Sequence, residues 1–272
     1  MGSGIAEVAA ANGYQVVLRS RSQAAADGMV AGLAKSLARQ VDKGRLEQAA
    51  ADEIAARVST TVDLSGLADC DLVIESVVED LEVKKALFAE LDKVVKAGAI
   101  LATNTSTLPV VEMAMVTGRP ELVCGIHFFN PAPAMALVEV VAPITAAEST
   151  VAEAIAFAAS CGKDPVKVKD QAGFIVNALL FPYLNNAVRL LEGGVADREG
   201  IDAAMKGGCG FPMGPFALLD LVGLDTSVAI LDALYAEFAD PNYAAVPLLR
   251  RMVVAGQLGR KSGAGFYDYS KK

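Results

Sequence analysis

The chain opens with MGSGIAEVAAANGYQVVL (residues 1–18), a helix of small residues followed by a short apolar strand. Helix-then-strand order is typical of the second half of a βαβ unit. In a dinucleotide-binding βαβ unit, a strand and a glycine-rich turn precede the helix, and the first amides of the helix hold the pyrophosphate. Gly2 then corresponds to the last glycine of that turn. The alternative is a flexible N-terminal dipeptide and a helix that binds nothing.

The same alternation continues through the first half of the chain. Short apolar strands are predicted at residues 71–75, 100–103, 123–127 and 137–141, with amphipathic helices at 22–43 and 81–95 between them. This order indicates a parallel sheet covered by helices. From Gly173 onward, Leu, Ala and Gly recur at helical spacing, and Asp197 is a predicted N-cap. We expect an α/β domain over residues 1–172 and an all-helical domain over 173–272.

Composition limits the class of protein. Of 272 residues, 53% are hydrophobic, and 24 Lys and Arg against 32 Asp and Glu leave a net charge of −8. A nucleic-acid-binding domain is usually basic, and every long apolar stretch contains polar groups that lipid does not tolerate. Four cysteines without C-x-x-C spacing are typical of reduced thiols. We expect a cytoplasmic protein that binds neither nucleic acid nor membrane.

The end of the strand at residues 15–18 is followed by Arg19-Ser20-Arg21. In NAD-binding folds a carboxylate near this point accepts hydrogen bonds from the ribose 2′-hydroxyl, whereas an arginine accommodates a 2′-phosphate. The chain has two guanidinium groups and a hydroxyl there, so NADP(H) is favoured and NAD(H) stays possible. The alternative is that both arginines are solvated surface residues.

His127 is the only histidine, and it stands where an apolar strand ends. Active sites of parallel sheets lie beyond the carboxyl ends of the strands. Glu139 lies between Val138 and Val140 in another apolar strand, where a buried carboxylate requires a partner. An imidazole is a suitable partner, and such a pair fixes the histidine tautomer for general acid–base catalysis. The alternative is a purely structural histidine.

Two further polar groups interrupt apolar sequence. Residues 102–107, ATNTST, place hydroxyls and an amide at a strand end, where Ser106 or Thr107 is also a candidate helix N-cap. Asn177 interrupts an apolar helix, where a core amide bonded to backbone is the alternative. On the helix at 22–43, Lys35, Arg39 and Lys43 form a basic row that is either a solvated face or a guide for a phosphate-bearing substrate.

Together these residues resemble the 3-hydroxyacyl-CoA dehydrogenase family, in particular its short bacterial 3-hydroxybutyryl-CoA members. The matching segments follow the family order along the whole chain: MGSGIA (1–6), ATNTS (102–106), HFFNP (127–131), GFIVN (173–177), PMGP (212–215) and LGRKSGAGFY (258–267).

The resemblance implies a Rossmann-like domain, an all-helical domain that carries a homodimer interface, and an acyl-CoA substrate. It implies that His127 is the catalytic acid–base, that Glu139 orients it, and that Ser106 and Asn177 bind substrate near the reacting carbon. It implies coenzyme A contacts for Ser36 and Lys43. The residues that it places at the cofactor are Gly2, Glu79, Lys84, Asn104, Asn130 and Lys261.

The chain departs from the family pattern at two points. The family has an acidic residue where Ser20 stands. The carboxylate that usually favours binding of NAD is therefore absent from this position. The family pattern also places a strand and two further glycines ahead of Gly2, so we expect an N-terminally truncated Rossmann-like sheet. Two alternatives stay open, namely a truncated, non-catalytic homo-oligomer of this fold and a dehydrogenase of free β-hydroxyacids. The latter is expected to have a catalytic lysine in place of His127 and Glu139.

Overall fold

The computed structural model describes residues 1–270. The chain divides into two compact units, Met1–Asp170 and Gln171–Lys272. The strands of the first unit are β1 (Val16–Arg19), β2 (Val58–Thr61), β3 (Leu72–Glu75), β4 (Ile100–Thr103), β5 (Val123–Phe128), β6 (Leu137–Ala142) and β7 (Asp164–Lys169). Its helices are α1 (Gly2–Ala11), α2 (Gln23–Asp42), α3 (Gln48–Ala56), α4 (Leu81–Val94), α5 (Val110–Ala114) and α6 (Glu148–Ser160).

The strands form two sheets. β1 pairs with β2 in parallel, and a five-stranded sheet has the order β3-β4-β5-β6-β7. The predicted parallel sheet with covering helices is confirmed, with one local difference, because β6 runs antiparallel to β5. Residues 129–136 join these two strands, and a connection this short allows an antiparallel pair, whereas a parallel pair requires a crossover of about a dozen residues or more.

A cavity of about 620 Å³ separates the two sheets. Residues of β1, β3 and α1 line it, among them Gly2, Arg19 and Glu75. Within residues 1–270, β1 and β3 belong to different sheets. The first turn of α1 and the carboxyl ends of both strands therefore face a common space.

The two faces of the larger sheet differ in the polar side chains that they carry. One face carries Ile100, Ala102, Cys124, Ile126 and Val140, which are buried together with apolar residues of α1 and α6. Since side chains alternate along a strand, Thr103, His127 and Glu139 point to the opposite face. This alternation brings the polar groups of three strands to one side of the sheet.

Two strands, β2 and β7, were not predicted from the sequence. β2 reads Val-Ser-Thr-Thr, and β7 carries lysines and Pro165. Both lie at the edge of a sheet. Edge strands are commonly short and polar, so neither shows the apolar run that identified the central strands.

The second unit is helical over its described residues. Its helices are α7 (Val176–Glu192), α8 (Arg198–Cys209), α9 (Pro215–Val222), α10 (Leu224–Phe238) and α11 (Pro247–Val254). Asp197 caps α8 as predicted, because its side chain accepts a hydrogen bond from the N–H of Gly200. The buried carboxylate of Asp220 accepts hydrogen bonds from the backbone N–H groups of Phe266 (2.8 Å) and Tyr267 (2.9 Å). The C-terminal segment that includes these residues is therefore held to α9.

Candidate active site

The register of β5 and β6 sets His127 directly opposite Glu139. His127 Nδ1 lies 2.8 Å from Glu139 Oε2, and the two side chains are 5% and 1% exposed. A carboxylate can only accept a hydrogen bond, so the proton lies on Nδ1, and in the neutral imidazole Nε2 carries a lone pair. The pair therefore holds Nε2 ready to accept a proton.

Ser106 lies at that second nitrogen. Its Oγ is 3.1 Å from His127 Nε2. With the tautomer fixed by Glu139, the hydroxyl donates and Nε2 accepts. The structure therefore brings three of the four residues predicted to be catalytic, Ser106, His127 and Glu139, into one hydrogen-bonded row. Within this row, His127 Nε2 is the nitrogen that can exchange a proton with a substrate hydroxyl.

The loop after β4 is tied to the strand that carries the histidine. Asn104 Oδ1 accepts a hydrogen bond from the backbone N–H of Phe128 at 2.8 Å. Asn104, predicted at the cofactor, therefore also fastens the loop to β5 next to His127. The predicted N-cap by Ser106 or Thr107 is wrong. Thr105 Oγ1 accepts from the N–H of Leu108 (3.0 Å), while Asp170 accepts from the first two N–H groups of α5.

A buried ion pair stands beside this loop. Lys84, whose side chain is 1% exposed, places Nζ 2.8 Å from Glu75 Oε1 and 3.3 Å from Glu79 Oε2. Sequence reasoning pointed to Lys84 and Glu79 but missed Glu75. The signal was present, because Glu75 ends the apolar run of β3, and a carboxylate buried at such a point requires a partner just as Glu139 does.

Polar donors gather where α1 and β1 meet the cavity. Gly2 begins α1, and no side chain caps that helix end. Arg19 ends β1 and donates to the carbonyl of Val62 at 3.3 Å, whereas Arg21 is exposed. Gly2 at the start of α1 and the guanidinium of Arg19 both line this cavity, and donors of this kind suit the phosphates of a dinucleotide.

The loop that follows His127 carries Asn130, which is exposed. The buried ammonium of Lys163 holds this loop, since Nζ donates to the carbonyls of Ala132 (2.7 Å) and Met135 (2.8 Å). Burial lowers the pKa of Lys163. Sequence reasoning missed this lysine because it precedes β7, which was also missed.

The basic row on α2 is present as predicted. Lys35, Arg39 and Lys43 are exposed, Ser36 is half-buried, and Leu33 and Leu37 are 3% exposed on the opposite side of the helix. The row is therefore accessible to a ligand.

The two remaining predicted residues belong to the second unit. Asn177 lies in the first turn of α7 and is 8% exposed. Lys261 donates to Asp225 Oδ2 at 2.7 Å. Their places at substrate and cofactor stay predictions.

Residues 1–270 contain no helix long and apolar enough to cross a membrane and no cluster of three or more His, Cys, Asp or Glu suited to a metal ion.

Comparison with known proteins covers the whole chain. The family model for the 3-hydroxyacyl-CoA dehydrogenase NAD binding domain matches residues 1–171, and the model for the C-terminal domain of the same family matches residues 173–269. A 3-hydroxybutyryl-CoA dehydrogenase of Clostridioides difficile is 48% identical over 271 residues, which are 100% of this chain and 96% of that protein.

A second relative and a solved structure indicate the same family. A 3-hydroxybutyryl-CoA dehydrogenase of Mycobacterium tuberculosis is 46% identical over 99% of this chain and 95% of its own length. The crystal structure of (S)-3-hydroxybutyryl-CoA dehydrogenase from Ralstonia eutropha superimposes with a TM-score of 0.97 at 42% identity, covering 100% of this chain and 96% of that one.

Proposed function

The chain belongs to the 3-hydroxyacyl-CoA dehydrogenase family, and from this we propose that it interconverts 3-hydroxybutyryl-CoA and acetoacetyl-CoA with a nicotinamide cofactor. The observation that carries the proposal is the row Ser106–His127–Glu139, since removing hydride from a carbinol carbon requires a base for its hydroxyl proton. The relatives and the solved structure do not favour a non-catalytic protein or a dehydrogenase of free acids.

In the oxidation, His127 Nε2 takes the proton of the 3-hydroxyl, and Glu139 stabilises the imidazolium that forms. In the reduction, Nε2 returns that proton to the oxygen. Hydride transfer in both directions is the chemistry that a bound nicotinamide cofactor would supply. Ser106 and Asn177 hold the substrate oxygen in place, so that proton transfer begins from an aligned arrangement.

The residues proposed to hold the cofactor include Gly2 and Arg19, which line the cavity. Gly2 offers its N–H to phosphate, and Arg19 and Arg21 flank Ser20 at the end of β1. The other proposed contacts are Glu79, Asn104, Asn130 and Lys261. Lys84 is proposed to act at the cofactor through Glu79, because its buried ammonium donates to Glu75 and Glu79.

We propose that NADP(H) is preferred over NAD(H). The support is the absence of a carboxylate from Arg19-Ser20-Arg21, together with two guanidinium groups that can pair with a 2′-phosphate.

We further propose that Ser36 and Lys43 contact coenzyme A, because the exposed basic row on α2 can bind its phosphates in a chain whose net charge is −8. A homodimer in the cytoplasm completes the proposal. The apolar side chains Leu179 and Val195 of the second unit are 71% and 70% exposed and are available to a partner.

The test is the rate of acetoacetyl-CoA reduction, followed by nicotinamide absorbance with NADPH and NADH in separate assays. We expect turnover with a higher kcat/KM for NADPH, and we expect Ser20→Asp to shift the preference toward NADH by restoring an acceptor for the 2′-hydroxyl. A kcat/KM for NADH far above that for NADPH would overturn the NADP(H) preference. No turnover by the folded protein with either cofactor would overturn the proposed activity.

A further inference from the structure

The carboxylate of Glu79 holds the backbone of the loop that carries Ser106. Its Oε1 accepts hydrogen bonds from Thr105 Oγ1 at 2.5 Å and from the backbone N–H of Ser106 at 2.8 Å. Both donors belong to the loop after β4, and the Ser106 hydroxyl is 3.1 Å from His127 Nε2. The orientation of Glu79 therefore affects the position of the hydroxyl that faces the imidazole.

The ammonium of Lys84 fixes Glu79 in turn. Nζ lies 2.8 Å and 3.0 Å from the two oxygens of Glu75 and 3.3 Å from Glu79 Oε2. These three contacts match the three N–H donors of an ammonium group. Lys84 is 1% exposed and Glu75 is buried with it, whereas the side chain of Glu79 is 41% exposed.

A second branch reaches the loop through Thr103. Its hydroxyl donates to Glu75 Oε2 at 2.8 Å and accepts from the backbone N–H of Thr105 at 3.1 Å. Glu75 thus anchors both branches. The Ser106 loop is held at three consecutive points, the N–H of Thr105, the hydroxyl of Thr105 and the N–H of Ser106.

We propose that Glu79 is a positioning residue, held by Lys84 and Glu75, that sets the distance between the Ser106 hydroxyl and His127 Nε2. The proposal rests on the proposed function for its kinetic consequence. It separates two roles that a carboxylate at this place can have, because a residue that only binds the cofactor changes cofactor affinity, whereas a positioning residue changes proton transfer.

The kinetic test compares three variants. Glu79→Ala removes the acceptor, and we expect kcat at saturating cofactor to fall about tenfold, the effect of one charge-assisted hydrogen bond, whether or not the cofactor KM also changes. Glu79→Gln keeps an oxygen that can accept from Thr105 and Ser106, so it recovers most of that loss. The matched control is Glu82→Ala on α4, whose side chain is 80% exposed and pairs with Lys85, and it leaves kcat unchanged.

A spectroscopic test does not depend on turnover. His127 is the only histidine, so the imidazole ¹⁵N and ¹H signals of the cofactor-free protein report on that one ring. We expect Glu79→Ala to shift the Nε2 signal at constant pH, Glu79→Gln to restore it partly, and Glu82→Ala to leave it in place.

Two results would overturn the inference. One is an unchanged imidazole signal in Glu79→Ala. This result would refute the positioning role even if the wild-type protein reduces no acyl-CoA and the proposed function has failed. The other is a rise in the cofactor dissociation constant with kcat unchanged, which would make Glu79 a cofactor ligand only.

Discussion

Glu139→Gln is expected to lower the rate of 3-hydroxybutyryl-CoA oxidation about a thousandfold. The variant keeps the size of the side chain and removes its charge. Glu139 Oε2 lies 2.8 Å from His127 Nδ1 and both side chains are buried, which places the centres of charge about 4 Å apart. At an effective dielectric constant of about 20, the carboxylate stabilises the imidazolium by about 4 kcal/mol. Since about 1.4 kcal/mol corresponds to a factor of ten in rate, the loss is about three powers of ten.

The assay is the initial rate of nicotinamide reduction at saturating substrate and cofactor, at one pH. Glu153→Gln is the control, because Glu153 is exposed on α6 and we expect its loss to leave kcat unchanged. Thermal unfolding of both variants confirms that they fold. If Glu139→Gln is folded and keeps kcat within about threefold of wild type, the stabilisation of an imidazolium by Glu139 is refuted.

Two further predictions concern stability and thiol chemistry. Burial acts to raise the pKa of Asp92, but hydrogen bonds from the N–H of Gly118 and from Arg119 outweigh it and hold the pKa below its ordinary value of 3.8. A lower pKa in the folded state means that this contribution is present above 3.8 and is lost as the pH falls through the folded pKa. Asp92→Asn should therefore lower the free energy of unfolding by about 1–2 kcal/mol near neutral pH and by much less in acid. Urea titration at the two pH values measures this difference, and an equal loss at both would contradict the prediction. Burial raises the pKa of the Cys124 thiol to about 12. Iodoacetamide should therefore label the exposed Cys209 and leave Cys124 unmodified in the folded protein, as mass spectrometry can show. Labelling of Cys124 before Cys209 would contradict this prediction.

The sequence allowed the position of His127 to be predicted because two local patterns coincide there. An apolar strand ends at the histidine, and strand ends of parallel sheets meet at one edge. Glu139 was identified by a second local argument, the cost of a lone carboxylate within an apolar strand. Neither argument predicts which residue of β6 lies opposite which residue of β5. That His127 faces Glu139 depends on the number of residues in the loop at 129–136 and on the antiparallel pairing of β6.

The cluster around Lys84 shows where local patterns stop being sufficient. Lys84 looks like an ordinary polar residue of an amphipathic helix, and its burial follows only from its pairing with Glu75 and Glu79 in the folded chain. Thr103 and Thr105 were visible as hydroxyls at a strand end, yet their partners Glu75 and Glu79 come from another strand and the segment that follows it. Contacts of this kind form only in the assembled sheet, so they cannot be predicted from one segment of sequence at a time.

The most direct test of the proposed activity is acetoacetyl-CoA reduction by the wild-type protein and by His127→Gln, followed by nicotinamide absorbance. Because the chain has no other histidine, no second imidazole can take over the proton. We predict turnover by the wild-type protein and a fall in kcat of at least about a hundredfold in the variant. A folded His127→Gln variant that reduces acetoacetyl-CoA at a rate close to wild type would contradict the assignment of His127 as the acid–base.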